Sequence, residues 1–580
     1  MAISTYPQDS LHVNLTYHPQ ELQFGTSGRR GEVIHLTHLE IFINVVGELT
    51  FLQSLPLAEG GIRTGDAFYY AYDLRPSSSE YVPTQGNRGK LVQAVEQAIR
   101  YTGMTPINLG QIPTPALTYY AIAQAKGSIM VTGSHIPFDR NGYKTNTAKG
   151  ELLKQHEPAI NEQVKQVRAQ FYNQAFSESL FTEKGFLKNE PASLPTENKA
   201  AAHAYLARYI DFFGDTCLAG LRVLVYQHSA VGRDLVVEIL QAVGAIAMPI
   251  GRSDVFVPID TENIQVAQLA AIQALYDDAR KTHGAFDAIV STDGDSDRPL
   301  LLAIHPETQA VQFISGDWAG MLTAEYLGAQ AIVVPISSND GIDYGALKHL
   351  VEPKTRIGSP YVISGMQKAL EQGKQNVCGW EANGGFLTGS DIVKDSKRLS
   401  ALPTRDAVLP ILAVLASVKQ ANQALVSLVT HLPKRYGSAA LLKQFPKKLG
   451  LAIVKQYSPS NAAICSVNFS GTQCLALDEN NQELPASAAE LAAIEALKNS
   501  LAGFFTPNQG FAEISQINYI DGVRIYFANG DIAHLRPSGN ADELRIYAVA
   551  NTAQRAHEIT SLATQEPDGI LRQLESSISA

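Results

Sequence analysis

Cysteine is scarce in this chain of 580 residues. The four cysteines, Cys217, Cys378, Cys465 and Cys474, are scattered and form no CxxC pair. A disulfide framework or a structural zinc site needs regularly spaced cysteines. The cysteine content therefore argues against both.

Long apolar runs are also missing. No stretch approaches the roughly 20 apolar residues that a membrane-spanning helix needs. The N-terminal sequence MAISTYPQDSLHVNLTYHPQ has neither the basic nor the apolar region of a secretory signal. We therefore expect a cytoplasmic protein that makes no contact with a membrane.

Basic residues are outnumbered, with 46 Lys and Arg against 56 Asp and Glu and a net charge of −10. Such a chain repels nucleic acid, so we expect no nucleic-acid partner. An anionic ligand must be held by locally placed Arg, Lys and backbone N–H groups. The hydrophobic fraction of 45% is that of an ordinary globular protein.

The length exceeds what one hydrophobic core supports and predicts three or four domains. Polar and proline-containing segments at 176–200 and 431–450 interrupt an alternation of helices and strands. Between them, 221–251 predicts a parallel strand-helix-strand unit, and 286–304 predicts two strands joined by a tight acidic loop. The α/β alternation continues to residue 430.

The C-terminal part has a different pattern. DGVRIYFANGDIAHLRPSG predicts a hairpin around Asn529-Gly530. ELRIYAVA predicts a further strand, and an amphipathic helix follows it. The last domain is therefore expected to be α+β and the earlier ones α/β.

The acidic loop STDGDSDRP contains Asp293, Asp295 and Asp297 at the end of an apolar strand. In a loop with glycine, these carboxylates can converge on one hard cation. An EF-hand is excluded because Arg298 and Ile304 occupy the positions of its glycine and glutamate. A solvated acidic turn is the alternative, but three adjacent carboxylates repel one another unless they are neutralised. Three protein oxygens leave room for a phosphate oxygen on Mg²⁺.

The segment GSIMVTGSHIP predicts a strand running into a turn that exposes Ser134. A loop serine after glycine is most often a turn or cap residue. No GxSxG motif or ordered Ser–His–Asp set is present, which disfavours acyl transfer. Beside a Mg²⁺ site, the hydroxyl can instead carry a phosphoryl group. His135 and Lys144 can then stabilise charge or move protons; the alternatives are a solvated histidine and a surface lysine.

Four separated motifs resemble those of the α-D-phosphohexomutase superfamily. TGSHIPFDRNGYK is similar to its phosphoserine loop T-A-S-H-N-P…N-G-x-K, and DGDSDR to its magnesium loop D-G-D-G-D-R. WEANGG resembles the sugar-binding loop G-E-x-S-G-H, and RPSGNADELRIY the phosphate-binding loop R-x-S-G-T-E-P…R-x-Y. Weaker matches are FGTSGRRG, AYDLRPSS, IPTPAL and TRIGSPYV.

The resemblance implies four domains around a central cleft, three α/β domains with mixed sheets and a C-terminal α+β domain. We expect them at 1–205, 206–315, 316–430 and 431–580. The resemblance also implies a monomer or a weak homodimer. The implied reaction is reversible phosphoryl transfer between the 1- and 6-positions of a hexose phosphate. Phosphoserine at Ser134 donates the group, and a hexose 1,6-bisphosphate is the intermediate and activator.

The resemblance also implies roles for individual residues. Mg²⁺ is expected on Ser134, Asp293, Asp295 and Asp297. The other expected catalytic residues are Arg30 and Arg298, which neutralise the moving phosphoryl group, and Lys144 with His135 beside it as acid/base candidates. Sugar hydroxyls are expected on Glu381 and Asn383. The phosphate that does not react is expected on Arg536, Ser538, Gly539, Asn540 and Arg545.

The chain departs from the family pattern at several positions. Asn383 and Gly385 replace the usual serine and histidine, and GSPYVIS lacks a histidine or lysine that several members have. Asn540 and Asp542 replace the threonine and proline of T-E-P, so a negative charge lies near the expected phosphate site. Mannose phosphates are the expected substrates. Glucose or dual specificity is the alternative, ahead of a phosphosugar phosphatase or a non-catalytic binding protein.

Overall fold

The computed structural model describes residues 6–262, 264–471, 473–538 and 542–579. The chain forms two compact units. The first unit contains the residues up to 330 together with 366–429. The second unit contains 331–365 together with the residues from 430 onward.

The first unit begins with a mixed sheet. Its strand Ala67–Tyr72 pairs parallel with two neighbours. One of these neighbours, Ser128–Val131, pairs antiparallel with Arg140–Thr147. The strand order is Arg29–Glu32, Arg140–Thr147, Ser128–Val131, Ala67–Tyr72 and Thr105–Asn108, with Gly150–Glu151 paired to Arg140–Thr147. A two-stranded pair is formed by Tyr81–Val82 and Arg88–Gly89. The helices of this part are Leu11–Asn14, His38–Ser54, Pro76–Ser79, Leu91–Tyr101, Thr114–Ala123, Glu157–Asn173 and Ala200–Phe213.

A second mixed sheet carries the acidic loop. Its strand order is Ile246–Arg252, Arg222–His228, Ala288–Thr292, Pro299–Ile304 and Val311–Ile314. The first three strands are parallel, and the helices are Arg233–Ala242 and Val266–His283. The predicted strand-helix-strand unit is confirmed. The predicted strand-loop-strand is confirmed too, because Thr292 lies opposite Pro299 in an antiparallel pair.

A third group of strands completes the first unit. Val377–Trp380, Phe386–Thr388 and Leu402–Asp406 pair antiparallel, and Ile392–Lys394 pairs with Lys397–Leu399. The helices here are Gly316–Leu327, Val408–Ala421 and Leu425–Leu428. Among the described residues, no single helix is long and apolar enough to cross a membrane. One bent pair, Val408–Ala421 with Leu425–His431, meets that criterion by length and composition alone.

The second unit is built on a seven-stranded antiparallel sheet. Its strand order is Tyr436–Lys443, Glu543–Ala550, Ile532–Pro537, Val523–Phe527, Ile514–Asn518, Ser466–Ser470 and Gln473–Leu477. Further elements are the strand Ala331–Val333 and the helices Ser359–Glu371 (which begins in this unit), Lys447–Gln456, Ala488–Ala502, Ala553–Thr564 and Ile570–Ser579. The hairpin around Asn529-Gly530 is confirmed. An amphipathic helix, Ile570–Ser579, closes the chain as predicted, but another helix, Ala553–Thr564, precedes it.

Alternate side chains of the strands Val523–Phe527 and Ile532–Pro537 enter the hydrophobic core of this unit. Val523, Ile525 and Leu535 belong to the hydrophobic core. Because successive side chains point to opposite faces, Arg524 and Arg536 lie on the other face. The fold is thus α/β followed by a C-terminal α+β part, as predicted. The four domain boundaries stay predictions.

Candidate active site

Ser134 lies in the loop between the antiparallel strands Ser128–Val131 and Arg140–Thr147. Its backbone adopts a φ of 53°, a left-handed conformation that costs a residue with a side chain roughly 1–2 kcal/mol. Ser134 N–H donates a hydrogen bond to Thr132 Oγ1 at 2.7 Å. The prediction of an exposed serine is wrong, because only 3% of Ser134 is exposed. The acidic loop covers it, and Ser134 Oγ donates to Asp293 Oδ2 at 2.6 Å.

Two charged residues hold the backbone of this serine loop. The Arg75 guanidinium donates to the carbonyl oxygens of Ser134 at 3.2 Å and Ile136 at 2.8 Å. The Asp73 carboxylate accepts from the Gly133 N–H at 3.3 Å and from Thr132 Oγ1 at 2.7 Å. Sequence reasoning missed both roles. The only signal was the weak match of AYDLRPSS, which contains both residues.

The three aspartates of the acidic loop are fully buried. One carboxylate oxygen from each of Asp293, Asp295 and Asp297 lies within 4.8 Å of the other two. A Cβ atom at Gly294 would lie 2.6 Å from the carbonyl oxygen of Ser134. Glycine at this position therefore allows the acidic loop to approach the serine loop. The three carboxylates converge as predicted.

Lys144 lies between two of these aspartates. Its Nζ donates to Asp295 Oδ2 at 2.7 Å and to Asp297 Oδ2 at 2.5 Å. The lysine is buried, so it is not a surface residue. Burial opposes ionisation of Asp295, but the Lys144 charge and hydrogen bond bring its pKa below the usual value. Burial and the two neighbouring carboxylates raise the pKa of Asp293 well above the usual value.

The aspartates still offer oxygen atoms to a cation. The Oδ1 atoms of Asp295 and Asp297 are buried and accept no hydrogen bond from the part of the chain that the structure describes. A buried polar atom without a partner costs roughly 1–3 kcal/mol, and more when it is charged. Carboxylate and hydroxyl oxygens are the ligands that Mg²⁺ prefers, and Ser134 Oγ lies beside Asp293. This donor set fits a magnesium ion.

Arg298 and His135 lie beside Ser134. Arg298 NH1 lies 2.9 Å from His135 Nδ1, and this ring nitrogen accepts because arginine can only donate. The same Nδ1 lies 3.5 Å from Ser134 Oγ. Arg298 Nε lies 3.8 Å from Asp293 Oδ2. The structure therefore brings both residues to the serine and the aspartates.

Arg30 lies on the strand next to Lys144. It is opposite Gly142 in the pairing of Arg29–Glu32 with Arg140–Thr147. Arg30 is half-buried, and its NH1 donates to the carbonyl oxygen of Tyr143 at 3.4 Å. Burial lowers the pKa of Arg30 to about 10, although the nearby Asp295 opposes this shift.

The predicted sugar loop follows the strand Val377–Trp380. Glu381 and Asn383 are both buried. Glu381 Oε2 accepts from Arg405 NH1 at 2.7 Å. Asn383 Oδ1 accepts from the Gly385 N–H at 3.0 Å, so this side chain shapes the turn. Binding of sugar hydroxyls by the two residues stays a prediction.

Sequence reasoning missed two residues that contact the aspartates. Arg405 donates to Asp297 Oδ2 from NH2 at 2.9 Å and from Nε at 3.1 Å. Thr114 Oγ1 donates to Asp295 Oδ2 at 2.6 Å. Thr114 lies in the weakly matching segment IPTPAL, whereas no motif contains Arg405.

The second unit contains the predicted phosphate-binding residues. Arg536 and Arg545 are directly opposite each other on two neighbouring strands. Arg536 Nε donates to Asp521 Oδ1 at 2.9 Å, and Arg545 NH2 donates to Glu543 Oε2 at 3.0 Å. Two like charges in this position repel each other. An anion that contacts both guanidinium groups would relieve the repulsion.

The loop between these two strands is described in part. Ser538 is buried, and its N–H donates to the carbonyl oxygen of Glu543 at 2.9 Å. Gly539 and Asn540 lie outside the described residues. The Asp542 carboxylate accepts from the Lys447 N–H at 3.0 Å, at the N-terminus of a helix. The negative charge noted in the sequence thus stabilises a helix end.

Three family models match the chain. The model for phosphoglucomutase/phosphomannomutase alpha/beta/alpha domain I matches residues 21–171. The model for alpha/beta/alpha domain III matches residues 315–436, and that for the C-terminal domain matches residues 479–562.

Known proteins match over nearly the whole chain. A phosphomannomutase from Sinorhizobium fredii is 34% identical over 537 residues, which cover 93% of this chain and 97% of that protein. A phosphomannomutase from Salmonella muenchen is 33% identical over 543 residues, covering 93% and 94%. A crystal structure of a phosphoglucomutase/phosphomannomutase family protein from Burkholderia thailandensis has a TM-score of 0.59 at 16% identity, covering 96% and 97%.

The fold and these matches define an isomerase of hexose phosphates, a phosphohexomutase. The chain belongs to the phosphoglucomutase/phosphomannomutase family of the α-D-phosphohexomutase superfamily and is phosphomannomutase-like.

Proposed function

We propose that this protein interconverts mannose 6-phosphate and mannose 1-phosphate through phosphorylated Ser134 and a hexose 1,6-bisphosphate. The substrate class is supported by the two phosphomannomutase relatives at 34% and 33% identity. The observation that carries the mechanism is the hydrogen bond from Ser134 Oγ to Asp293 Oδ2 at 2.6 Å. A phosphoryl group on this oxygen would lie against the three aspartates.

The proposal gives the metal site a defined role. Asp293, Asp295 and Asp297 would hold Mg²⁺ together with the Ser134 oxygen, which fits the two Oδ1 atoms that lack a hydrogen bond among the described residues. The ion supplies positive charge that stabilises the transferring phosphoryl group. Arg298 and Arg30 add positive charge on the protein side.

Proton transfer is assigned to Lys144, with His135 as the second candidate. The Lys144 Nζ is held by hydrogen bonds to Asp295 and Asp297, which fix its position beside the serine loop. A positioned ammonium group can donate a proton to a leaving oxygen and recover it later. His135 Nδ1 accepts from Arg298, so it must leave that partner before it can accept a proton from the serine.

The remaining residues recognise the parts of the substrate that do not react. Glu381 and Asn383 bind sugar hydroxyls in this proposal. Arg536, Ser538 and Arg545, together with Gly539 and Asn540, bind the distant phosphate. A bisphosphosugar presents either end to Ser134, so the distant site must recognise phosphate rather than one face of the sugar. Arginine recognises phosphate with its planar fork of donors.

A ³¹P NMR experiment tests the proposal. The protein is mixed with mannose 1-phosphate, Mg²⁺ and a trace of mannose 1,6-bisphosphate, and glucose 1-phosphate is tested in parallel. We expect mannose 6-phosphate to appear without inorganic phosphate, and faster than glucose 6-phosphate. Faster conversion of glucose 1-phosphate would overturn the mannose assignment. Release of inorganic phosphate without isomer would indicate a phosphatase.

A further inference from the structure

Arg405 joins two loops that have different tasks in the proposed reaction. Its side chain is 3% exposed. Two of its nitrogens, Nε and NH2, donate to Asp297 Oδ2 of the acidic loop at 3.1 and 2.9 Å. The third, NH1, donates to Glu381 Oε2 of the sugar loop at 2.7 Å.

The surroundings of Arg405 fix its position. A Cβ atom at Gly385 would lie 2.6 Å from the Arg405 Cδ, so the sugar loop packs closely against the side chain. The next residue, Asp406, accepts hydrogen bonds from the hydroxyl groups of Tyr205 and Tyr209. Both tyrosines are fully buried. The strand end that carries Arg405 is therefore held rigidly in the core.

Arg405 also determines which oxygen of Asp297 is available. Asp297 Oδ2 accepts hydrogen bonds from both Arg405 and Lys144. Its Oδ1 is buried, accepts no hydrogen bond from the described residues and lies 3.7 Å from Arg298 Nε. Outer partners of this kind orient a carboxylate toward a metal and tune the affinity of the site.

We propose that Arg405 is a positioning residue that couples the metal site to the sugar site. One guanidinium presents Asp297 to Mg²⁺ and presents Glu381 to the sugar hydroxyls. The inference takes the identity of these ligands from the proposed function. Lysine should replace Arg405 poorly, because its single nitrogen lacks the planar fork whose three separate nitrogens reach Asp297 and Glu381.

The first test measures Mg²⁺ binding by titration calorimetry on the full-length, dephosphorylated protein. We expect Arg405→Met and Arg405→Lys to raise the Kd for Mg²⁺ by about tenfold or more. Arg208→Met is the matched control, because Arg208 is a buried arginine of the same unit that donates to the Ser400 carbonyl oxygen at 2.8 Å. Its Kd for Mg²⁺ should stay close to that of the wild type.

The second test measures mutase kinetics of Arg405→Lys at saturating Mg²⁺. We expect the kcat to return to most of the wild-type value. The KM for mannose 6-phosphate should stay about tenfold higher than that of the wild type, because one hydrogen bond to a charged group is lost. A purely structural defect would lower the active fraction and leave the KM unchanged. Glu381→Gln should raise the KM and leave Mg²⁺ binding intact.

The two failures are distinguishable. An unchanged Kd for Mg²⁺ in both Arg405 variants, or a KM that returns to the wild-type value at saturating Mg²⁺, would overturn the role of Arg405. A wild-type protein that binds Mg²⁺ but does not isomerise any hexose phosphate would overturn the proposed function, while the calorimetry would still test Arg405.

Discussion

Ser134 combines a left-handed backbone, complete burial and a hydrogen bond to Asp293. We predict that Ser134→Ala lowers mutase turnover by roughly 10⁴-fold or more, because the phosphoryl carrier is lost. The free energy of unfolding should fall by only about 1–2 kcal/mol for the missing hydrogen bond. Turnover assays and thermal unfolding measure the two effects.

Ser296→Ala is the control for this variant. Ser296 is also a buried serine with positive φ, and its Oγ accepts from the Gly232 N–H at 2.9 Å. We expect a comparable loss of stability but a much smaller loss of turnover. Equal losses of turnover in both variants would mean that burial and strain, rather than phosphoryl transfer, explain the effect.

Asp295 tests the metal site. Asp295→Asn removes one anionic oxygen from the site and one partner of Lys144. We predict a Kd for Mg²⁺ at least about tenfold higher, with activity partly restored by excess Mg²⁺. Calorimetry and activity across a Mg²⁺ series measure this. Full activity of the wild type after exhaustive chelation would contradict the metal role.

The sequence predicted site residues of the four main motifs, and it missed residues of the weaker matches, such as Thr114, and residues outside any motif, such as Arg405. Ser134 and the three aspartates lie in short loops that contain glycine, so their residue types point to their chemistry. Arg405 lies 24 residues from Glu381 in the sequence. No local pattern connects it to Asp297, so only the fold reveals the contact.

At the scale of elements, the paired strands of the second unit present Arg536 and Arg545 on one face. We predict that Arg536→Ala weakens binding of mannose 1-phosphate and mannose 6-phosphate equally, by about 1.5–3 kcal/mol. Glu381→Gln should instead affect the two isomers differently, because its proposed partners are hydroxyl groups. The KM and kcat values in both directions measure the difference.

Arg555→Ala is a suitable control for Arg536→Ala. Arg555 belongs to the same unit and is also paired with a carboxylate, Asp531, at 2.8 Å. We expect no change in either KM. If Arg536→Ala behaved like this control, the assignment of the phosphate site would be wrong.

His228 links the pH dependence of stability to the strand beside the acidic loop. It ends the strand Arg222–His228, is fully buried, and its Nε2 lies 2.9 Å from the Thr292 carbonyl oxygen. Burial lowers the pKa of His228 from the usual 6.5 to about 4. As the pH falls, His228 is therefore protonated in the unfolded chain before it is protonated in the folded protein. Its contribution to the free energy of unfolding is fully present above pH 6.5 and is lost as the pH falls toward 4.

We predict that His228 lowers the free energy of unfolding by about 2 kcal/mol when the pH falls from 7 to 5. His228→Gln keeps a donor for the Thr292 carbonyl oxygen but does not titrate. Its free energy of unfolding should therefore fall by about 2 kcal/mol less than that of the wild type over the same pH range. Denaturant unfolding at the two pH values measures the difference. Equal pH dependence in both proteins would show that His228 does not titrate as described.

Helices and strands whose apolar residues recur at a regular spacing were predictable from the sequence. The residues at which they end, and how deeply their side chains are buried, were harder to predict. The strand-helix-strand unit and the hairpins followed from apolar periodicity and glycine turns. The two helices after the last strand are separated by a segment that contains Pro567 and Gly569. Apolar residues recur on both sides of this segment, so the sequence pattern did not reveal the break. The burial of Ser134 depends on the acidic loop, 159 residues away, and a local turn pattern carries no information on it.

For the whole molecule, the fold class followed from four motifs in order, but the division into two units did not. Residues 331–365 group with the C-terminal part of the chain. In that unit Asp340 pairs with Arg435 at 2.8 Å, and the Ile357 N–H donates to Asp521 Oδ2 at 2.9 Å. Prediction from the sequence assigns contiguous segments to domains. It therefore could not group residues 331–365 with a part of the chain that they contact but that lies far away in sequence.

The central claim is that Ser134 passes a phosphoryl group to a hexose phosphate. The most direct measurement labels the protein with ³²P, maps the label to a peptide and then adds unlabelled mannose 1-phosphate with Mg²⁺. The account predicts that the label lies on Ser134 and moves into mannose bisphosphate and mannose 6-phosphate. Label on another residue, or label released only as inorganic phosphate, would contradict it.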